Sequence, residues 1–429
     1  MKKVLLLTLI LLLLIPANIF ALEITSPNAI LIDIESGKIL YEKGAYDACY
    51  PASTTKVMTA LLALENCELM ERVTASYNAI MSVPYDGTTA AIQVGETWTV
   101  NQLVQAMMVC SANEAANMLA EHIGGSIESF ASMMNSRAKE LGAKSTNFVN
   151  PNGLHDPQHK SSVYDMAIIA RYAMQNFPKF REASKLTSFS LPDTSIYSKG
   201  DRYFINTNKM LIKSSSYYYE YATGIKTGYT SHSLNCIVSS AEKDGVELIA
   251  VVFGAMGAQN RTKDTIALFE YGFEQLKSET ILSAGTILNT YDVSGATPEQ
   301  TTVSVAVTQD IVHTIPQNDS AENYKPEIFL DKDLKAPITS GDTLGIAKYT
   351  IQGNSYEYPI VATNSVTSIM SSVTAGVVTT AKVIGKIILW AVITVIAMIV
   401  MLVLIRAAVL TKNQQIRRRR MFRYNSRFR

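Results

Sequence analysis

Tyr50-Pro51-Ala52-Ser53-Thr54-Thr55-Lys56-Val57-Met58-Thr59-Ala60-Leu61-Leu62-Ala63-Leu64-Glu65 is the stretch whose reading decides the fold. A proline ends a turn, and a mostly apolar helix follows with a serine and a lysine in its first turn. Positions i and i+3 share a helix face, so Ser53 Oγ and Lys56 Nζ can meet. An apolar helix is expected to be buried, and burial drives a lysine toward its neutral, basic form. A neutral amine beside a hydroxyl activates a serine nucleophile without histidine. The same residues also describe a serine cap followed by a solvated lysine. The rest of the chain has to choose between the two.

At 429 residues the chain is long enough for two or three domains with sizeable cores. Its net charge of +1 hides an asymmetry, because nine of its lysines and arginines, and no acid, lie from Arg406 onward. The body before them carries about −8. A mildly acidic body argues against nucleic-acid binding, which needs a basic face. Cys49, Cys67, Cys110 and Cys236 are too few and too scattered for a disulfide framework. No cysteine pair has zinc-ligand spacing and there is no His-Glu-x-x-His, so no metal site is expected.

Two segments point to a membrane. Met1-Lys2-Lys3, the apolar run from Val4 to Ile15, Pro16 and the small Ala21 make a secretory signal peptide over residues 1–21. Ile387 to Ile405 is almost wholly apolar and close to the ~20 residues that span a bilayer. Lys386 and Arg406 flank it, and the arginine-rich tail 406–429 is expected to stay on the cytoplasmic side. The body is then extracytoplasmic, on a single-pass chain with a cytoplasmic C-terminus.

Between these segments, Ala29–Ile34 and Lys38–Tyr41 flank Glu35-Ser36-Gly37 as a hairpin. Ile92 to Trp98 reads as a strand or an extended piece, and Thr99 caps a helical region running with interruptions to His122. Met108 to Glu114, with Ser111, lies inside that region. Helices are expected at Ser126–Leu141 and Val163–Phe177, separated by the loop Asn150–Pro157. Leu234–Ser239 and Val246–Gly254 read as paired strands, and Thr262–Phe273 as a closing helix. This is an α+β domain with an α-rich insert, assigned to residues 22–278. Short strand-like runs separated by turns over 279–363 indicate a small all-β domain. Residues 364–386 read equally as a linker or as an amphipathic helix.

Ser-x-x-Lys occurs three times, at Ser53, Ser136 and Ser240, and Ser-x-Asn five times, so context must select. Only Ser53 opens an apolar helix after a proline turn, and only Ser111 sits in an otherwise apolar helical region. Lys226-Thr227-Gly228 occurs once and leads into a strand, where glycine lets another backbone approach closely. In this order, Ser53…Lys56, Ser111-Ala112-Asn113 and Lys226-Thr227-Gly228 resemble the set of the penicillin-binding proteins and serine β-lactamases. Pro51–Leu64, Ser111–Asn113 and Gly224–Thr230 resemble most closely the low-molecular-mass D-alanyl-D-alanine carboxypeptidases.

The resemblance implies a β-lactamase/DD-peptidase-like catalytic domain and a serine peptidase that removes the terminal D-alanine from peptidoglycan stem peptides. It implies Ser53 as nucleophile, Lys56 as its general base and Ser111 as a proton relay toward the leaving D-alanine. Asn113 would hold the peptide amide, and Lys226 and Thr227 the terminal carboxylate. Gly228 completes that motif, and the backbone N–H groups of Ser53 and Tyr229 would form the oxyanion hole. Arg261 is a further position set near the carboxylate, outside the assigned site. No cofactor is implied, and β-lactam antibiotics are expected to acylate Ser53. A class A β-lactamase is the nearest alternative, but Asn147–Tyr172 contains no glutamate to activate a deacylating water. A weakly active penicillin-binding sensor or scaffold at the membrane is the other.

Overall fold

The computed structural model describes residues 22–425, so the expected signal peptide lies outside the described residues. In chain order, β1 (Asn28–Asp33) and β2 (Ile39–Lys43) form the expected hairpin, followed by a 3₁₀ turn, Ala52–Thr55, and helix α1 (Lys56–Asn66). Then come β3 (Arg72–Thr74), α2 (Tyr77–Met81), β4 (Thr97–Thr99), α3 (Val100–Val109), α4 (Asn113–Gly124) and α5 (Ile127–Glu140). After the long loop follow α6 (Val163–Asn176), α7 (Pro178–Lys185), β5 (Ser188–Leu191) and β6 (Arg202–Ile205). The strands β7 (Ala222–Thr230), β8 (Leu234–Lys243) and β9 (Val246–Ala255) precede α8 (Ala258–Gln275).

A five-stranded antiparallel sheet, ordered β2-β1-β9-β8-β7, is the platform. Its central strand β9 reads as a continuous apolar run because both faces are covered. Ile249, Val251 and Phe253 join the large core that contains α1, α3, α4 and α6. The alternate residues Leu248, Ala250 and Val252 pack with Leu268 and Phe269 of α8. The period-2 alternation of a strand therefore divides one apolar sequence between two cores. Strand β7 lies at the sheet edge with its functional residues inside it, not ahead of it.

Two local expectations are corrected. Residues 92–98 do not form one strand: within them only the start of Thr97–Thr99 is paired, with β3. The preceding backbone is claimed by side chains, since Ala90 and Ile92 N–H donate to Glu114 and Gln93 N–H to Glu96. Ser111 does not sit within a helix. It has φ +65° in the break between α3 and α4. Thr99 does cap α3, in a capping box with Gln102.

The chain divides into two compact units. The first takes residues 22–282 with Ile311–Lys325 and Thr350–Ser355, and includes the ribbon of β10 (Leu276–Leu282) with a later strand at Ile311–Pro316. The second takes Ser283–Asp310, Pro326–Tyr349 and 356–425. Its sheet contains β11 (Ile287–Asp292), β12 (Thr302–Val307), β14 (Glu327–Leu330), β15 (Thr343–Ile351) and β16 (Asn354–Ala362), with the Ile311–Pro316 strand counted as β13. Its order is β11-β12-β16-β15-β14. A single helix, α9 (Ile369–Asn425), includes the segment Val378–Arg418, long and apolar enough to cross a bilayer. Helix therefore begins ahead of the apolar run, within the stretch that reads equally as a linker.

Candidate active site

The chain does not enter α1 directly: Ala52 takes a left-handed φ of +48°, and the backbone makes one 3₁₀ turn first. Thr54 supports that turn by returning both its N–H (3.2 Å) and its hydroxyl (2.6 Å) to the Pro51 carbonyl. Side chains at i and i+3 eclipse in a 3₁₀ turn. Ser53 therefore stands directly over Lys56, with Nζ 3.0 Å from Oγ. Helix α1 begins at Lys56, two residues later than a helix capped by Ser53 would.

Lys56 is fully buried, and its Nζ has two further partners, Asn113 Oδ1 at 2.7 Å and the Asn152 carbonyl at 2.6 Å. Both are obligate acceptors. A neutral amine has two N–H bonds and one lone pair, so these oxygens occupy its donors and leave the lone pair facing the Ser53 hydroxyl. Burial, together with the charge of Lys226, pushes the Lys56 pKa well below its ordinary value, against a weaker opposing pull from Glu114. Glu114 is itself buried, and its pKa is raised by desolvation despite backbone N–H donors.

Lys226 lies inside β7, also buried, with Nζ donating 2.9 Å to the Thr227 carbonyl. Desolvation lowers its pKa to about 7, with Arg261 adding like charge. Arg261, in the first turn of α8, is 8% exposed and has an Nε without a partner. Among the described residues neither Lys56 nor Lys226 forms an ion pair. Thr227 Oγ1 donates to Thr207 Oγ1 at 2.9 Å, and Tyr229 is exposed. Gly228 presses its backbone onto the serine turn: a β-carbon there would stand 3.0 Å from Ser53 N and from Ala52 Cβ. The motifs thus converge, Ser53 and Lys56 with Asn113 through hydrogen bonds, and Gly228 through backbone contact. Ser111 is nearly buried between α3 and α4, and among the described hydrogen bonds none links it to Ser53, Lys56 or Lys226.

Sequence reasoning missed the loop behind the site. Asn152 supplies a carbonyl to Lys56, and its side chain is fixed by Asn117 Oδ1 (2.8 Å) and by the Leu154 N–H (2.9 Å). Gly153, at φ +82°, lies so close that a β-carbon would fall 1.9 Å from the Ala52 carbonyl oxygen. His159 ties the same loop to α1. Its Nδ1 accepts from Val149 N (3.0 Å), which leaves Nε2–H to donate to Thr55 Oγ1 (2.8 Å). Burial keeps this imidazole neutral, with a pKa lowered to about 4. The Pro-Asn-Gly turn was the one signal in the sequence, and it marks a loop without saying where the loop docks.

The family described as D-alanyl-D-alanine carboxypeptidase matches residues 16–257, more than half of the chain. The chain belongs to the D-alanyl-D-alanine carboxypeptidase family. Residues 276–368 match the C-terminal domain of penicillin-binding protein 5. The enzyme is 32% identical over 325 residues to the D-alanyl-D-alanine carboxypeptidase DacF of Bacillus subtilis (strain 168), covering 74% of this chain and 79% of DacF. It is similar in structure to penicillin-binding protein 5 from Haemophilus influenzae, at TM-score 0.59 and 28% identity, over 81% of this chain and 98% of that one. The DD-transpeptidase of Streptomyces K15 matches at TM-score 0.54 and 30% identity, over 58% of this chain and 98% of the other. It is therefore a serine-type carboxypeptidase with a small all-β domain, and its long apolar C-terminal helix fits a membrane anchor.

Proposed function

We propose that this enzyme removes the terminal D-alanine from peptidoglycan stem pentapeptides through an ester on Ser53. The observation that carries the reading is the buried amine of Lys56, 3.0 Å from Ser53 Oγ, with both of its donor positions spent on oxygen acceptors. Lys56 takes the hydroxyl proton as Oγ attacks the carbonyl of the penultimate D-alanine. The backbone N–H groups of Ser53 and Tyr229 receive the developing oxyanion, each such donor being worth ~3 kcal/mol of barrier. Ser111 passes a proton to the leaving amine, and Asn113 orients the peptide amide. Lys226 and Thr227 hold the terminal carboxylate beside Gly228. Water then cleaves the ester and releases the shortened peptide. β-Lactams, which also present an amide carbonyl and a carboxylate, acylate the same serine.

The signal peptide 1–21 and the positively flanked span 387–405 support an extracytoplasmic body, with the basic tail in the cytoplasm. The catalytic domain, 22–278, and the β domain, 279–363, then work at the outer face of the membrane.

The test is D-alanine release from a synthetic pentapeptide ending in D-Ala-D-Ala, with Ser53→Ala as control. Release that is lost in Ser53→Ala is expected. Release that survives Ser53→Ala overturns the mechanism. Stable acylation by a β-lactam without peptide turnover would leave the sensor reading, and rapid β-lactam hydrolysis the β-lactamase reading.

A further inference from the structure

The C-terminal ends of α1 and α4 converge on a second cluster that the carboxypeptidase chemistry does not use. Cys67 is the C-cap of α1, Glu71 follows in the turn that leads into β3, and His122 lies in the last turn of α4. Their ligand atoms, a thiol sulfur, a carboxylate oxygen and an imidazole nitrogen, all lie within 4.8 Å of one another. Glu71 Oε2 is already 3.1 Å from His122 Nε2.

The turn between the first two residues is held from several directions. Glu71 N–H donates to the Glu68 carbonyl (3.0 Å), and Glu68 N–H donates to Glu71 Oε1 (2.5 Å). The start of α3 is tied to the same turn by Val100 N–H to the Glu71 carbonyl (2.9 Å) and Asn101 N–H to the Leu69 carbonyl (3.0 Å). One carboxylate oxygen is therefore oriented by backbone, and the other is directed at the cluster. This is how the outer contacts of a metal ligand set its direction. Two helix C-termini, each carrying partial negative charge, also point here, which favours a cation.

We propose that Cys67, Glu71 and His122 bind a zinc-class divalent cation, with water as the fourth ligand, clamping the C-terminal ends of α1 and α4 together. Thiolate and imidazole select this class over calcium and magnesium, which take oxygen ligands. Zinc distances of about 2.0–2.3 Å require ligand atoms closer together than 4.8 Å, so the partly exposed side chains would turn toward one another on binding. The sequence conceals the set, since Cys67 and His122 are separated by more than fifty residues. The N-terminal end of α1 carries Lys56 and that of α4 carries Asn113, so the clamp would brace the two helices that hold the site apart from its chemistry.

The test uses the full-length chain in detergent micelles, freed of metal with EDTA, with zinc and cobalt(II) as probes. One equivalent of zinc retained through gel filtration is expected, with a melting temperature several degrees above the metal-free protein. Cobalt(II) should give a thiolate charge-transfer band and tetrahedral visible bands. Both signals should vanish in Cys67→Ser and His122→Gln and persist in Cys49→Ser. Metal-free melting of each variant should match that of metal-free wild type, and Glu71→Gln, which keeps the turn, should weaken zinc binding at least ~10-fold. Absence of stoichiometric uptake, or a cobalt spectrum unchanged in Cys67→Ser, overturns the proposal and leaves a surface Glu71–His122 pair only.

Discussion

Arg202 and Lys56 are both cationic side chains with almost no exposed surface, and they are accommodated in opposite ways. Arg202 faces the equally buried Glu96 in a two-pronged pair, Nη1 to Oε2 at 2.9 Å and Nη2 to Oε1 at 3.0 Å. Its remaining Nη protons go to the Ala91 and Pro192 carbonyls, and its guanidinium stacks near Trp98 and Tyr197. Burial works against the Glu96 carboxylate, but Arg202, Thr194 and the Gln93 N–H outweigh it and hold its pKa below the usual value. Lys56 has no carboxylate partner; it has oxygen acceptors, a serine and a second buried lysine. The charge of Arg202 is compensated in place, whereas burial and the charge of Lys226 work against that of Lys56. The first arrangement fixes the geometry of the insert, and the second creates a base.

The comparison breaks most visibly at Lys56. Lys56→Met should lower kcat/KM by about 10³-fold or more, with a smaller drop in melting temperature than any break of the Arg202 pair causes. Steady-state D-alanine release and circular-dichroism melting measure the two. Glu96→Ala should do the reverse. It strands a buried guanidinium and should cost about 3–5 kcal/mol in denaturant unfolding, with little change in kcat/KM per folded molecule.

His159 sharpens the same contrast through acid stability. Its pKa is near 6.5 unfolded and about 4 folded, so the unfolded chain binds the proton first as pH falls. Its contribution is complete above pH about 6.5 and is lost progressively toward pH about 4, amounting to about 3 kcal/mol. Urea unfolding across that range should show the slope in wild type and lose it in His159→Gln. The smallest effect is kinetic and comes from Lys226. Because its folded pKa is about 7, it loses charge as pH rises through neutrality, and carboxylate binding should weaken with it. Lys56 must be neutral to act, so kcat/KM should be bell-shaped, its acid limb set by Lys56 and its alkaline limb by Lys226. Lys226→Arg, which cannot deprotonate, should keep the acid limb and remove the alkaline fall of up to about tenfold, at a lower overall rate.

The second unit offers no such buried conflict at its most hidden positions. Val303, Val305, Ala347 and Ile360 lie in its core, and strand-like runs between turns marked it as a β domain. In the first unit the same signals located β1, β2, β8, β9 and the helices α1, α5, α6 and α8, because each depends on a period of 2 or 3.6 within one segment. They failed where long-range partners took over the backbone. Residues 92–98 give up pairing to Glu114 and Glu96, and Ser111 occupies a break whose left-handed φ no periodicity announces.

By itself the sequence determined the pieces of chemistry: Ser53 three residues ahead of Lys56, Ser111 two ahead of Asn113, and Lys226-Thr227-Gly228 next to a strand. Short spacing suffices there, because geometry over three or four residues is set by local backbone alone. The tertiary structure decided what those pieces are worth. Only folding brings the Asn152 carbonyl and Asn113 Oδ1 onto Nζ, sets Gly153 against Ala52, seals both lysines from water and gathers Cys67, Glu71 and His122. Burial and the partners of a charge depend on segments distant along the chain, and these turn a common Ser-x-x-Lys pattern into an amine ready to accept a proton.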